Sequence, residues 1–392
     1  MLERAGRAGG LWVALTLLAV ACGAPAPSGP AAVGGGASSP AASAAPSVVR
    51  AAGAAEPTAA TTTAASASYR PTPLSPPVAL KAGLIGGTSD AGIYIALQQG
   101  YFEQEGLQVE PEIVPSTSVM MGALAAGQLD VLGPPSAASI FNAAGRQVSM
   151  RMVADKGSTP SPEWDFVSLM VRKDLVDSGQ VQDYRDLKGL TATLAGQANA
   201  PEIELVKALE RGGLSLADVN LTILSFPDMI AGFANRAVDV GVVIEPFVSS
   251  IEAQGTAVRW RGVSEFYGNH QVAAVVYGPS LVEERPEVGR RFMVAYLRGV
   301  RDYNDAFGPK RQGREAVIQA LTTYTPIKDA AAYDRMRPAD LDPDGTLALQ
   351  SIRDDLAYYE RTGSVREPVD LSQVVDTSFQ EYALRQLGPY QR

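Results

Sequence analysis

Few residues of this sequence have the types and spacing that enzymatic chemistry requires. His270 is the only histidine and Cys22 is the only cysteine, so the usual transition-metal sites, which combine several such side chains, are not supported. A serine nucleophile paired with His270 would be expected in a G-x-S-x-G elbow, and no such motif occurs. His270 is therefore interpreted either as a hydrogen-bonded structural residue or as a ligand contact. The residue types favour binding over catalysis, and neither a cofactor nor a metal is expected.

The loop Gly87–Gly92 only partly matches a nucleotide-binding motif. Its end glycines have the spacing of those in a phosphate-binding P-loop, but Ile93 and Tyr94 occupy the positions where Lys and Ser or Thr would bind phosphate and Mg²⁺. A nucleotide site is therefore not expected. The loop instead offers the hydroxyl and carboxyl groups of the run Thr88–Asp90 for hydrogen bonding to a small molecule.

Strand-like and helix-like segments alternate around this loop. Residues 78–87 are strand-like, apolar residues then recur at helical spacing, and a second strand begins at Leu107. The same order recurs over residues 190–224, where Pro201 suits the first position of the helix. The chain is therefore expected to contain β-α-β units with parallel strands.

A second pair of segments indicates an internal repeat. The stretch "MMGALAAGQLDVLG" (residues 120–133) aligns with "MIAGFANRAVDVGV" (residues 229–242), which places Asp130 over Asp239. Both read as a helix, a short turn and a buried strand. The repeat predicts two similar lobes. Since parallel sheets bind ligands beyond the carboxyl ends of their strands, facing lobes would enclose a cleft into which helix N-termini point.

The first 77 residues are expected to target and tether the protein. Basic residues precede the apolar run Leu11–Ala21, which is too short to span a bilayer but has the layout of a signal peptide over residues 1–21. Its end, "AVACG", resembles the lipobox of bacterial lipoproteins, which implies lipidation of Cys22; an ordinary signal with a chance cysteine is the alternative. Residues 22–77 are nearly all Ala, Pro, Ser, Gly and Thr and are expected to form a disordered tether.

The charge of the chain argues against a nucleic-acid partner. It has 33 basic and 42 acidic residues, a net charge of −9, and no cluster of Lys and Arg interrupts the acidic excess. The part beyond residue 77 is long enough for two lobes rather than one core.

Seven stretches together resemble one family of proteins. They are "YIALQQGYFEQEGLQVE", "LAAGQLDVLG", "DLKG", "GLSLADV", "ANRAVDVGVVIEPF", "LAYYERTGSV" and "VVDTSFQEYALRQLG". In this order they are similar to the substrate-binding proteins of ABC importers, of the nitrate/sulfonate/taurine type that is related to proteins for thiamine-precursor pyrimidines. The resemblance covers the chain from about Val78 to Gly388.

The resemblance implies an α/β fold of the type II periplasmic-binding class. Each lobe would be a mainly parallel sheet flanked by helices, with covering helices at the C-terminus. Residues 78–171 and 275–392 would form the first lobe and residues 172–274 the second, with crossings near Ser168–Arg172 and Gln271–Val276. The implied protein is a non-catalytic monomer, anchored by lipid outside the cytoplasm, whose partners are an ABC permease and its ATPase subunits.

Two other functions stay open. A sensor or solute-buffering lipoprotein would use the same fold without an importer. A relative of the family makes the thiamine pyrimidine from a bound cofactor, but that chemistry would need a pyridoxal-binding Lys and iron ligands, which a single histidine supports poorly.

Sixteen residues are candidates for ligand binding, most of them in loops beyond the carboxyl ends of predicted strands. Glu245, which follows an apolar strand, is either a ligand acceptor or a solvated loop acid. Tyr94 and Trp164 could supply flat apolar surface. The candidates are, from the first lobe, Thr88, Ser89, Asp90, Tyr94, Ser116, Thr117, Pro135 and Ser136; near the first crossing, Trp164; from the second lobe, Gln197, Asn199, Phe226, Asp228 and Glu245; and near the return crossing, Asn269 and His270.

These candidates include hydroxyls, amides, carboxylates and aromatic rings but no Arg or Lys. A small anion is commonly held by helix N-termini and hydroxyls, often with a cation. The missing cation favours a neutral or weakly basic ring, such as a pyrimidine or a related heterocycle. A sulfonate, taurine or nitrate-type anion is the alternative.

Overall fold

The computed structural model of the protein describes residues 69–391. The predicted signal peptide, the predicted lipidation at Cys22 and most of the predicted tether lie outside the described residues. Within residues 69–391, the strands form two five-stranded sheets and one two-stranded ribbon. No helix in this part of the chain combines the length and the apolar character needed to cross a membrane.

The first sheet is mainly parallel. β1, β2, β3 and β4 run in one direction, and the last strand of the chain, β12, lies antiparallel between β3 and β4. The strands in this sheet are β1 (Val78–Leu84), β2 (Leu107–Ile113), β3 (Val131–Leu132), β4 (Arg151–Asp155) and β12 (Ala274–Tyr277), in the spatial order β2-β1-β3-β12-β4.

The second sheet has the same plan. Its first strand, β6, lies antiparallel between β9 and β10, while β7 and β8 run parallel to β9. The strands are β6 (Val167–Arg172), β7 (Thr191–Leu194), β8 (Asn220–Ile223), β9 (Val240–Ile244) and β10 (Ala257–Gly262), in the order β10-β6-β9-β7-β8. The predicted α/β architecture of two similar lobes is confirmed.

The ribbon between the sheets consists of β5 (Ser158–Thr159) and β11 (His270–Gln271), which pair antiparallel. β11 lies at the predicted return crossing. The prediction of an outgoing crossing near Ser168–Arg172 is wrong, because these residues belong to β6, which is paired on both sides inside the second sheet. We therefore propose that the first lobe ends near β5 rather than at residue 171.

Helices cover both sheets. They are α1 (Ala91–Gln98), α2 (Tyr101–Gln104), α3 (Thr117–Ala125), α4 (Ala138–Gly145), α5 (Lys173–Asp177), α6 (Ala200–Arg211), α7 (Phe226–Ala234), α8 (Phe247–Ala253), α9 (Pro286–Phe307), α10 (Arg314–Tyr324), α11 (Ala330–Arg335), α12 (Leu349–Arg361) and α13 (Ser378–Leu387). The long helix α9 packs on α1, and a Cβ atom at Gly92 would lie 2.6 Å from side-chain atoms of Tyr296 and Val300 on α9. Gly92 therefore permits a close helix contact, which explains its presence without a phosphate site.

The internal repeat is reproduced in hydrogen bonds. Asp130 and Asp239 immediately precede β3 and β9. The backbone N–H of Asp130 donates to the Lys81 carbonyl, and the Lys81 N–H donates back to the Asp130 carboxylate. Asp239 makes the same pair of bonds with Thr191. Each carboxylate also accepts a hydrogen bond from an arginine at 2.8 Å. The helices before these strands end alike, with a left-handed residue at Gly127 (φ 67°) and Arg236 (φ 57°).

Candidate ligand-binding cleft

Loops from both sheets meet at the carboxyl ends of their strands and enclose two small cavities. A cavity of about 150 Å³ is lined mainly by apolar side chains: Ile85, Ile113, Val114, Pro115 and Pro135 from the first lobe, and Ala195, Phe226 and Pro227 from the second. A cavity of about 120 Å³ adds Ser118, Ser139 and Gln197, and both cavities touch Ser116, Thr117, Ala195 and Asn199. No charged side chain lines either cavity.

A larger groove of about 420 Å³ lies elsewhere, along the starts of β1 and β2. It is the less suitable ligand site for a topological reason. Open α/β sheets bind ligands beyond the carboxyl ends of their strands, where the loops into the helices converge, and this groove lies at the opposite edge.

Backbone hydrogen bonds hold the two sides of the cleft together. Thr88 N–H donates to the Glu245 carbonyl at 3.0 Å, and Ala200 N–H donates to the Ser136 carbonyl at 2.7 Å. A third bond, from Ala138 N–H to the Ala198 carbonyl, measures 2.9 Å. The structure therefore represents a closed cleft.

Six of the sixteen candidates line the cavities: Ser116, Thr117, Pro135, Gln197, Asn199 and Phe226. Ser116 also caps α3 by accepting a hydrogen bond from Val119 N–H. Phe226 stacks on Phe247 with 6.0 Å between ring centroids and an interplanar angle of 16°. The aromatic surface of the cleft thus comes from the start of α7.

Asp90 does not face the cleft. Its carboxylate accepts hydrogen bonds from the backbone N–H groups of residues 85–87 at 2.9–3.2 Å and pairs with Lys156 at 2.7 Å, with both side chains fully buried. Lys156 also donates to the Ser89 hydroxyl at 3.0 Å. Asp90 and Ser89 therefore fix the loop. Their partner Lys156, a buried cation, was not predicted from the sequence.

Glu245 fits neither of its two interpretations. It is fully buried, pairs with Arg259 at 2.7 Å and accepts hydrogen bonds from Ser249 and from Arg337 N–H. Burial raises the pKa of this carboxyl group, and the Arg259 charge opposes the rise. The residue is thus half of an internal ion pair rather than a ligand acceptor or a solvated acid.

His270 is a structural residue. Its Nδ1 lies 2.9 Å from a Glu204 oxygen and its Nε2 lies 3.3 Å from Asp355, with all three side chains fully buried. Burial opposes protonation, but the charge of Asp355 and hydrogen bonds to both carboxylates outweigh it and raise the pKa of His270 to about 10. Ser136 donates to the same Asp355 carboxylate at 2.9 Å, which turns its side chain away from the cleft.

The remaining candidates lie outside the two cavities. Tyr94 is buried and stacks on Tyr324, with 5.5 Å between centroids. Trp164 lines a separate groove of about 400 Å³ with Phe307 and Arg314. Asp228 is exposed, and its carboxylate accepts a hydrogen bond from the Ser225 hydroxyl. Asn269 is exposed and has a φ of 56°. Thr88 is buried, and its hydroxyl donates to the Glu245 carbonyl.

The first backbone donors of α6 are already used. Ala200 N–H bonds across the cleft, Pro201 has no N–H, and the N–H groups of Glu202 and Ile203 donate to the Asn199 carbonyl at 3.0 and 3.2 Å. In this closed state the helix N-terminus has no free donor for an oxyanion.

The comparisons with known proteins agree with this architecture. A family model described as the NMT1-like family matches residues 74–321. The riboflavin-binding protein RibY from Chloroflexus aurantiacus is 25% identical over 301 residues, which cover 74% of this chain and 72% of that protein.

Solved structures share the fold at low identity. The ligand-binding component of an ABC-type import system from Staphylococcus aureus superposes with a TM-score of 0.63 at 13% identity, covering 78% of this chain and 98% of that one. The periplasmic nitrate-binding protein NrtA from Synechocystis PCC 6803 has a TM-score of 0.63 at 13% identity and covers 79% and 89%. The expected periplasmic-binding fold is confirmed. Because the family model spans more than half of the sequence, the chain belongs to the NMT1-like family.

Proposed function

We propose that this protein is the extracytoplasmic substrate-binding component of an ABC importer and that it captures a neutral, flat heterocycle of the flavin or pyrimidine class. The observation that carries the proposal is the uncharged lining of both interlobe cavities, together with the mainly apolar lining of the larger one, which includes Phe226. The similarity to a riboflavin-binding protein supports the ligand class, and the similarity to a component of an ABC-type import system supports the transport role.

The electrostatics of the cleft disfavour a small anion. Nitrate and sulfonate sites commonly combine helix N-terminal donors with a cation. Lys156 is neutralised by Asp90 and Arg259 by Glu245, and neither basic side chain lines the cavities. A ring without charge does not need these groups.

The shape of the cleft suits an aromatic ring. Phe226 lines the larger cavity, and Pro115, Pro135 and Pro227 add rigid apolar surface to it. Aromatic pairs gain about 0.5–1.5 kcal/mol beyond the burial of their area. Typical small-molecule sites have a volume of about 300–1,000 Å³. Each cavity is smaller than this, so the cleft with its ligand bound must be wider than the closed cleft described here.

The internal ion pairs also support binding over catalysis. A pyridoxal-dependent pyrimidine synthase would need a free lysine and metal ligands. Lys156 is buried against Asp90, and His270 is held by Glu204 and Asp355. These groups serve the fold. The lipid anchor at Cys22 remains part of the proposal and is supported by the sequence alone.

A thermal-shift screen followed by calorimetry tests the ligand class. We expect riboflavin, lumichrome or a pyrimidine to raise the melting temperature, because a ligand at a hundredfold excess over Kd stabilises by about 2.7 kcal/mol. Phe226→Ala should weaken binding of the active compound at least tenfold. Phe266→Ala is the matched control, since Phe266 is 6% exposed against 5% for Phe226 and lies outside both cavities.

Strong stabilisation by nitrate or alkanesulfonates, with no effect of any heterocycle, would contradict the proposal. Equal losses of affinity in the Phe226 and Phe266 variants would contradict the assignment of these cavities as the ligand-binding site. Ligand uptake that depends on a permease separates the importer role from a sensor or buffer without one.

A further inference from the structure

The Asn199 carboxamide is an unsatisfied polar group in the middle of the cleft. The residue is 4% exposed, and it touches both cavities. Its Oδ1 is buried and has no hydrogen-bond partner among the residues described. A buried acceptor without a donor is unfavourable, and most such atoms in proteins are paired.

The local structure does not use this side chain. Asn199 is the N-cap of α6, with φ −141° and ψ 177°, a position where asparagine commonly accepts an N–H from the first helical turn. Here it makes no capping bond, because Pro201 has no N–H and the next two N–H groups donate to the Asn199 backbone carbonyl. The carboxamide is left for a partner from outside the helix.

Neighbouring residues leave space for the Asn199 carboxamide and hold the Asn199 backbone against the first lobe. A Cβ atom at position 196 would lie 2.7 Å from the Asn199 Nδ2, so Gly196 provides the space that the amide occupies. A β-bridge pairs Asn199 with Ala137 on the opposite side of the cleft. Closure therefore traps the amide oxygen between the lobes.

We infer that Asn199 selects ligands that carry a ring N–H beside a carbonyl group, as in a cyclic amide or imide. A carboxamide has an acceptor and a donor side by side. A ring N–H and the carbonyl group beside it can pair with both of them. Nitrate and simple alkanesulfonates at neutral pH have acceptors only, so they leave Oδ1 unpaired. The inference rests on the proposed heterocycle-binding function and specifies the ligand edge that the cleft recognises.

A pair of flavins that differ in one hydrogen-bond donor tests the inference. The full-length chain is titrated by calorimetry with riboflavin, whose N3–H lies between two carbonyl groups, and with N3-methylriboflavin. We expect methylation to weaken binding at least tenfold, since it removes the donor and leaves Oδ1 unpaired. In Asn199→Leu, riboflavin should bind more weakly and the two flavins should differ less than threefold.

Two further variants separate recognition from folding. Asn220→Leu is the matched control, because Asn220 is an exposed asparagine outside the cleft and should keep the full discrimination. Gly196→Ala should displace the carboxamide and reduce the discrimination with Asn199 still present. If Asn199→Leu does not fold, Gly196→Ala still tests the role of Asn199, and equal binding of the two flavins to the unaltered protein would still overturn the inference.

The outcomes distinguish the inference from the function on which it rests. If neither flavin nor any other heterocycle binds, both the proposed function and the inference are wrong. If riboflavin and N3-methylriboflavin bind equally well to the unaltered protein, the inference alone is wrong.

Discussion

At the scale of single residues, internal ion pairs explain most of the polar candidates that do not reach the cleft. His270 joins three elements: Glu204 comes from α6, His270 from the crossing strand β11, and Asp355 from α12. Tyr267 donates to Asp355 at 2.8 Å and packs on the imidazole ring. Removing one member of such a buried cluster leaves charges without compensation, which is costly.

Replacing His270 should change how stability depends on pH. The pKa of His270 is about 10 in the folded chain and 6.5 as the ordinary value, so its stabilising effect is complete below pH 6.5 and is lost as the pH rises to about 10. We expect His270→Gln to be strongly destabilised at pH 6 and to approach the unaltered protein towards pH 10. Urea unfolding at several pH values measures the difference.

A second buried group, Asp155, also titrates in the pH range of this experiment. Burial raises the pKa of its carboxyl group to about 8, so it titrates in the same range in both proteins and cancels in the difference. Two unfolding profiles that run parallel from pH 6 to pH 10 would show that the imidazole carries no extra proton in the folded state.

At the scale of elements, the two copies of the repeat end their helices in the same conformation with different residues. After α3 the left-handed position is Gly127, and after α7 it is Arg236. In both copies the next N–H closes the turn, from Gln128 to the Ala123 carbonyl and from Ala237 to the Gly232 carbonyl. Arginine tolerates positive φ less well than glycine does.

Arg236→Gly should therefore stabilise the protein by about 1 kcal/mol, the usual order of this strain. The ion pair that it removes, with Asp174 at 3.7 Å, is exposed and contributes little. Arg236→Ala is the control, because it removes the same ion pair and keeps the strain. Equal unfolding free energies of the Gly and Ala variants in urea would rule out strain at this turn.

At the scale of the whole molecule, the closed cleft predicts a shape change on binding. Closure without ligand strands the Asn199 oxygen, so the empty protein should favour a more open arrangement than the one described. We expect small-angle scattering to show a smaller radius of gyration when the active heterocycle is added. A compound that is inactive in the thermal screen is the control. An unchanged radius at saturation would contradict hinge closure, though not the fold.

Local patterns predicted the fold well because they depend on neighbouring residues. The strand, loop and helix around residues 78–98 and the paired segments that end at Asp130 and Asp239 were read from periodicity and turn residues. The outgoing crossing was misplaced because β5 has only two residues and β6 is apolar almost throughout. Sequence spacing gives no signal for such a boundary.

The site was predicted less well because its polar residues find partners far along the chain. Asp90 pairs with Lys156, which is 66 residues away. Glu245, in the loop after β9, pairs with Arg259 on β10. A carboxylate after a strand looks the same in sequence whether it faces a ligand or a buried cation. Asn199 and Phe226 do line a cavity, because one caps and the other starts a helix that follows the end of a strand; their role in binding stays a prediction.

The position of β12 between β3 and β4 sets an order of completion during synthesis. All strands of the second sheet lie between residues 167 and 262, so that sheet can form as soon as they have been made. The first sheet, although most of it is translated earlier, stays incomplete until residues 274–277 arrive. At about 5–20 residues per second, the roughly 120 residues after β4 take about 6–24 s. During that interval the chain exposes the unpaired edges of β3 and β4, and unpaired strand edges are templates for pairing with other chains.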